Sequence, residues 1–219
     1  MRVVIAGGHG KIARLLERDL TERGDSAVGL IRNPEQAAAL RAVGAEPVVC
    51  DLEDAEVAEV AAHLTAADAV VFAAGAGPGS GAARKDTVDR AAAALLADAA
   101  TSAGVRRYLL VSSMGVDDAP RAGTDEVWAA YLRAKKAAED DLTGRDLAWT
   151  VLRPGRLTDD EPTGRITLDR HVPRGDISRA DVAAVLVALL DEPRTAGLTL
   201  ELTAGPDPIG QAVRAATHR

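Results

Sequence analysis

Short runs of consecutive apolar residues alternate along the chain with longer, Ala-rich stretches of mixed polarity. The runs Arg2–Ala6, Ala27–Ile31, Pro47–Cys50, Ala69–Ala73, Arg107–Ser112, Ala148–Leu152 and Thr199–Leu202 are rich in Val, Ile and Leu, as strands buried on both faces are. Between them the pattern predicts helices near 11–23, 34–43, 54–66, 82–103, 125–143 and 179–191. Strand–helix alternation of this kind predicts an α/β fold, a doubly wound parallel sheet with helices on both faces. Ligands of such sheets lie beyond the carboxyl ends of the strands. The residues that follow each strand are therefore the candidates for function.

No tandem repeat or low-complexity linker interrupts the alternation, and the 219 residues read as one domain, 1–219, with a substantial core. The stretch "AGAGPGSGAA" (74–83) reads as a loop. From Pro154 to Arg179 the alternation weakens, with Pro162, Pro173 and several glycines, which predicts a small irregular C-terminal substrate lobe at about 154–179. Ser178 of "SRAD" is expected to open the next helix as a capping box, with Asp181 reaching back.

Composition narrows the picture by exclusion. Apolar residues make up 47% of the chain and charged residues 27%, an ordinary globular balance. A formal net charge of −7 and only 2% aromatic residues argue against a nucleic-acid binder, which needs clustered Lys and Arg and rings to stack on bases. No apolar stretch is long enough to cross a bilayer. The first strand begins without a preceding basic and apolar signal segment, so the expectation is a cytoplasmic protein. Cys50 is the only cysteine and reads as an inert core residue. His9, His63, His171 and His218 are scattered without ligand spacing, and Asp159, Asp160 and Glu161 read as a solvated acidic loop, so no metal is expected.

The residues after the first strand carry the strongest chemistry. In "VVIAGGHGKIARLL" three glycines, Gly7, Gly8 and Gly10, stand within four positions, between a strand and a helical pattern. Such a cluster marks a backbone that a ligand approaches closely. Gly8-His9-Gly10-Lys11-Ile12-Ala13 fits G-x-G-x-x-A, in which the glycines allow a tight turn and the helix N-terminus offers amide donors and a positive dipole end to a pyrophosphate. Lys11 adds a cation, and His9 reads as a turn residue within reach of phosphate.

The second strand ends in Arg32-Asn33, where an NAD-selective site would place Asp or Glu, about 20 residues past the glycines, on the ribose 2′-hydroxyl. A guanidinium there attracts a 2′-phosphate and favours NADP, with NAD still possible. Asp51 and Leu52 after the third strand suit an acceptor for the adenine amine and an apolar wall, although an Asp there could equally be a helix cap. Ala73, Ala74 and Gly75 after the fourth strand are small enough for a cofactor to pass along the backbone, and Asp89 near that loop is a candidate polar contact. Ser112 and Ser113 follow the fifth strand.

Tyr131 and Lys135 are spaced Y-x-x-x-K and share one face of a predicted helix. A phenol ordinarily titrates near ~10, and a neighbouring ammonium favours its ionised form. Tyr131 is therefore a candidate proton donor to a carbonyl that accepts hydride, with Ser113 bonded to the same oxygen and Ser112 beside the cofactor. Lys135 is expected to hold the nicotinamide ribose as well.

Taken in order, Gly7/Gly10/Ala13, "LIRNPEQ", "CDLED", "FAAGAG", "LLVSSMG", Y-x-x-x-K, "LAWTVLRPGRLT" and "ISRADVA" resemble the atypical short-chain dehydrogenase/reductases, the NmrA-like and flavin-reductase (biliverdin reductase B)-like group. The resemblance covers nearly the whole chain. It implies a Rossmann fold that binds NAD(P), Arg153, Pro154 and Gly155 after the sixth strand near the nicotinamide, and hydride chemistry supported by Ser, Tyr and Lys. The expected partner is a small-molecule substrate. A cofactor sensor acting on a protein partner is the alternative from another class, and the short lobe argues against a nucleotide-sugar epimerase or dehydratase.

Overall fold

The computed structural model of the chain describes residues 1–75, 86–118 and 125–218. All seven apolar runs are strands: β1 (Arg2–Ala6), β2 (Ser26–Ile31), β3 (Glu46–Val49), β4 (Ala69–Phe72), β5 (Arg107–Val111), β6 (Ala148–Pro154) and β10 (Leu198–Ala204). They pair in parallel in the order β3-β2-β1-β4-β5-β6-β10. The direction of crossover reverses between β1 and β4, which makes a Rossmann-type doubly wound sheet with its switch point there. Among the described residues no helix is long and apolar enough to cross a membrane.

Alternation along each strand sorts its side chains between the two faces. Val3, Ile5, Val71 and Leu109 pack under α1 (Lys11–Glu22) and α6 (Arg179–Leu190). Their neighbours Val4, Val70, Phe72, Tyr108 and Leu110 pack under α3 (Val57–His63), α4 (Ala92–Ala103) and α5 (Glu126–Thr143). Among the described residues the remaining α-helices are the short α2 (Ala37–Arg41) and α7 (Ile209–Ala216), the latter not predicted by the sequence pattern.

Several helices differ from their sequence-based bounds. The 34–43 pattern splits into a 3-10 turn, Pro34–Gln36, and α2. The 54–66 pattern shortens to α3, after Glu56 in extended backbone. A π-helical turn, Asp86–Ala91, precedes α4, and the predicted start at 82–85 lies outside the described residues.

The lobe is more regular than its sequence suggests. β7 (Arg156–Thr158) pairs in parallel with β9 (Asp176–Ser178) as a separate ribbon. β8 (Arg165–Asp169) joins the main sheet antiparallel to β10, and β11 (Asp207–Pro208) closes the edge. These strands are short and their partners lie far along the chain, so local periodicity did not reveal them. Ser178 does cap α6, accepting the Asp181 N–H at 3.0 Å. Asp181, however, does not reach back to the Ser178 backbone. Its carboxylate accepts the Ser178 hydroxyl and the N–H groups of Thr163 and Gly164 at 3.0, 3.0 and 2.9 Å, which pins the turn before β8.

Backbone meets backbone at the switch point. Gly7 has φ +78°, and a Cβ there would stand 2.5 Å from Ala74 Cα. A Cβ on Gly8 would stand 2.7 Å from Gly29 Cα and 2.8 Å from a Glu17 carboxylate oxygen. Glu17, on α1, is fully buried and neither of its oxygens has a hydrogen-bond partner. Burial pushes its carboxyl up to about 8, against the attraction of Arg14. The folded protein therefore holds a proton there that the unfolded chain releases near the ordinary value of 4.5. This contribution to stability is fully present below that value and is lost as pH rises toward 8. Chemical denaturation of wild type and Glu17→Gln across pH 5 to 9 checks this: the variant's midpoint is expected to exceed wild type most at the alkaline end, and equal slopes with pH would refute it.

Candidate functional site

The loops after β1, β2, β3 and β4 surround a cavity of about 290 Å³ at the carboxyl edge of the sheet. The register of β1 with both neighbours, Ala6 opposite Leu30 and Phe72, makes these loops leave the sheet level with one another. Gly7, Gly10, Ala73, Ala74 and Gly75 line its switch-point side. Gly10 is the N-cap of α1 and provides no side-chain cap, so the first-turn amides of the helix are open to an anion. A Cβ on Gly10 would come within 3.1 Å of the Gly7 carbonyl, whereas Gly8 is turned away, packed against β2.

Lys11 does not stand free beside this loop. Its ammonium lies 2.5 Å from Asp159 of the lobe, which also accepts from Arg179 at 2.7 Å. Ile12 is partly buried against the core. His9 is exposed, with Nδ1 3.3 Å from Gln36 Nε2.

The far end of the cavity is bounded by Arg32, Asp51, Leu52 and Glu53. Arg32 is about half exposed, 3.6 Å from the Glu53 carboxylate, which also accepts the Thr87 hydroxyl at 2.7 Å. Glu53 was not singled out in the sequence because the segment after β3 offers no period that aims its side chain back at β2. Asn33 does not line the cavity: its side-chain Oδ1 caps the 3-10 turn by accepting the Glu35 N–H at 2.9 Å. Asp51 accepts the Glu53 N–H at 3.1 Å, a capping role that leaves it on the cavity wall. Cys50 also reaches that wall, and burial, with Glu59 and Asp51 nearby, pushes its thiol up to about 11.

Lys135 is almost fully buried on α5. Its ammonium lies 3.0 Å from the Val111 carbonyl, 3.5 Å from the Ala74 carbonyl and 3.2 Å from the buried Asp89 carboxylate. The ammonium thus donates to two carbonyls of the protein itself, at the end of β5 and just beyond that of β4, and pairs in charge with a carboxylate of the π-helical turn. In this arrangement Lys135 fixes the two loops rather than offering a donor to a ribose. Asp89 has a larger part than its position in sequence suggested, since nothing local announces its pairing with a residue 46 positions away.

Tyr131 lies one turn before Lys135, with the ammonium 5.8 Å from its ring centroid, and its ring stacks on Trp128 at 5.1 Å and 27°. Trp128 is 48% exposed, so it is no core residue. Tyr108, the other tyrosine, is buried with its hydroxyl donating to the Ala93 carbonyl at 3.1 Å. Ser112 is buried at the end of β5 with no partner for its hydroxyl, while Ser113 is partly exposed and donates to the Met114 carbonyl at 3.2 Å.

Two placements correct the sequence reading. β6 runs on through Arg153 and Pro154, so these residues end the strand rather than follow it. The Arg153 guanidinium is held by buried Glu139 at 2.5 to 3.2 Å and by the half-exposed Asp117 at 2.5 Å, so its charge is matched within the protein. Gly155 is explained by packing, since a Cβ there would stand 2.1 Å from the Gly175 carbonyl.

The arrangement fits a dinucleotide on two independent features: the uncapped helix N-terminus and the cradle that side chains on Gly7 or Gly10 would obstruct. Comparison with known proteins agrees. A family model described as NAD(P)H-binding matches residues 7–193. The chain is 34% identical to the uncharacterized sugar epimerase YhfK of Bacillus subtilis, over 98% of this chain and 99% of that protein. A solved structure from Bacillus halodurans, assigned provisionally as an NAD-dependent epimerase/dehydratase, superimposes with a TM-score of 0.90 at 37% identity, over 98% and 99% of the two chains. ChuY, an anaerobilin reductase of Escherichia coli O157:H7, superimposes with a TM-score of 0.75 at 28% identity, over 93% and 97%.

Lys135 and Asp89 are expected to act as a unit. Removing one partner of a buried ion pair strands the other charge, at a cost of roughly 3–5 kcal/mol. Urea denaturation of Lys135→Met should show a loss of that order, and adding Asp89→Asn should recover much of it. Strictly additive losses would show that the two side chains do not depend on one another.

Proposed function

Because the chain belongs to the NAD(P)H-binding family, among short-chain dehydrogenase/reductase-like epimerases and reductases, we propose that it is an NADP-preferring oxidoreductase moving hydride to or from a small carbonyl-, quinone- or flavin-like substrate. The observation that carries this reading is the pairing of Tyr131 with Lys135 on one helix face, the ammonium anchored at the very loops that wall the dinucleotide cleft. The bound nicotinamide cofactor supplies or takes up the hydride.

The chain's own residues serve the proton and the geometry. A carbonyl that gains hydride at carbon needs a proton at oxygen, and the Tyr131 hydroxyl holds it. The buried Lys135 ammonium stabilises negative charge left on the phenol, tempered by Asp89. Ser113, accessible at the end of β5, gives the oxygen a second hydrogen bond. The half-exposed Trp128 ring beside Tyr131 makes an aromatic shelf, which favours a flat conjugated substrate. The amides of Lys11 and Ile12 hold the pyrophosphate, and Ala73 to Gly75 let the cofactor pass.

The names of the Bacillus proteins support a second reading, in which hydride leaves and returns to one substrate. Such an epimerase would accumulate no oxidised cofactor. A screen of quinones, flavins and small aldehydes with NADPH, followed by absorbance, separates the two. Tyr131→Phe should lower kcat for any reduced substrate by roughly 100-fold or more, the contribution of a positioned general acid, with cofactor affinity barely changed. An active Tyr131→Phe protein would remove the catalytic assignment and leave the cofactor site standing.

The NADP preference rests on Arg32, which must exchange the Glu53 carboxylate for the 2′-phosphate. A charge-assisted hydrogen bond is worth about 1.5–3 kcal/mol, so binding of NADPH over NADH should differ roughly tenfold or more. Calorimetric titration at fixed salt should show that preference vanish in Arg32→Ala. Equal affinities in wild type would overturn the assignment.

A further inference from the structure

Cys50, read from sequence as an inert thiol, has company that the sequence did not show. Its Sγ, a Glu59 carboxylate oxygen and a His63 ring nitrogen all lie within 4.8 Å of one another. Glu59 and His63 are four apart on α3 and so share one face of it. Cys50 sits at the end of β3, held there by its N–H donating to the Ile31 carbonyl at 2.8 Å. No side-chain hydrogen bond or ion pair engages any of the three among the described residues.

We propose that Cys50, Glu59 and His63 form a three-ligand site for a divalent transition metal of the Zn2+ type, with its fourth position left to water. A buried thiol in an ordinary core faces hydrocarbon. This one faces an imidazole and a carboxylate, and each of the three is a ligand that tetrahedral zinc accepts. Bond lengths of about 2.0–2.3 Å place tetrahedral donors roughly 3.5 Å apart, so closing the cluster takes shifts on the order of 1 Å. The exposed Glu59 and half-exposed His63 can make them while the buried Cys50 stays put. A soft sulfur ligand and an imidazole select against Mg2+ and Ca2+, which take all-oxygen sets. On binding, the thiol proton passes to solvent and the sulfur lone pair goes to the metal, with no change in oxidation state.

The site stands apart from Tyr131 and Lys135, so it is tested without turnover. The chelator-treated full chain is titrated with Co2+ and followed by absorption, then with Zn2+ in competition against a chromogenic chelator, in the presence of excess Mg2+. The expected result is about one equivalent bound, with a sulfur-to-cobalt charge-transfer band and tetrahedral visible bands. Cys50→Ser should abolish the charge-transfer band. His63→Ala and Glu59→Gln should each weaken Zn2+ by at least about tenfold, since even the residues behind ligands cost that much. Dinucleotide binding by His63→Ala reports that the variant is folded. Sub-stoichiometric binding, a cobalt spectrum without the sulfur band, or undiminished Zn2+ affinity in a folded His63→Ala protein would each overturn the proposal. The wild-type cobalt spectrum decides alone if a variant does not fold.

Discussion

The close passage of backbones at the switch point constrains the rest of the molecule. Where the sheet order reverses, the chain leaving β1 must cross the end of β4 on one side and lie on β2 on the other. Gly7 meets Ala74 and Gly8 meets Gly29 at distances that no side chain would allow. The left-handed φ at Gly7 turns the chain sharply enough for Gly10 to start α1 with its amides facing the cleft. The same crowding encloses Glu17, whose carboxyl fills the space that the glycines leave open. A loop that accommodates an anion on one side thus stands over a carboxyl that burial keeps neutral on the other.

A second constraint ties the loop after β4 to the end of β5. Lys135 crosses from α5 to the carbonyls of Ala74 and Val111, and Asp89 neutralises it from the π-helical turn. A charge this deeply buried would be costly without all three contacts. Its placement gives Tyr131 a fixed neighbour of known charge while the tyrosine ring reaches the surface beside Trp128. The distance between structural and chemical roles is therefore one helical turn, with the buried residue setting the geometry and the more exposed one available to a substrate.

Much of this was legible because it is local. Apolar runs announced every parallel strand of the main sheet, the Gly7–Gly10 cluster announced the turn, and the four-residue spacing placed Tyr131 and Lys135 on one face. What escaped was set by partners distant in sequence. Lys11 looked like a cation for the phosphate and Arg153 like a neighbour of the nicotinamide, before Asp159, Glu139 and Asp117 arrived from elsewhere. Asp89 and Glu53 could not be aimed without the sheet that orients them, and the strands β7, β8 and β9 are too short for periodicity to distinguish from loop. Cys50 and His63 offered no motif because strand end and helix face meet only in three dimensions.

The two halves of the site are built from different materials, and this bears on how each can vary. The dinucleotide half is backbone packed on backbone, where a single added carbon collides, so its shape is fixed by the fold. The lobe is held in two ways. Asp181, buried, binds two amides of the 163–164 turn and gives that turn one geometry. Asp159, exposed, binds Lys11 and Arg179 in surface pairs that contribute little to stability. Bonding to Lys11 holds the Asp159 carboxyl below its usual range, yet both side chains remain in water and exchange partners cheaply. An anion at the N-terminus of α1 would compete with Asp159 for Lys11. The contact between glycine loop and lobe thus rests on an exposed pair, while the turn beneath it rests on buried hydrogen bonds.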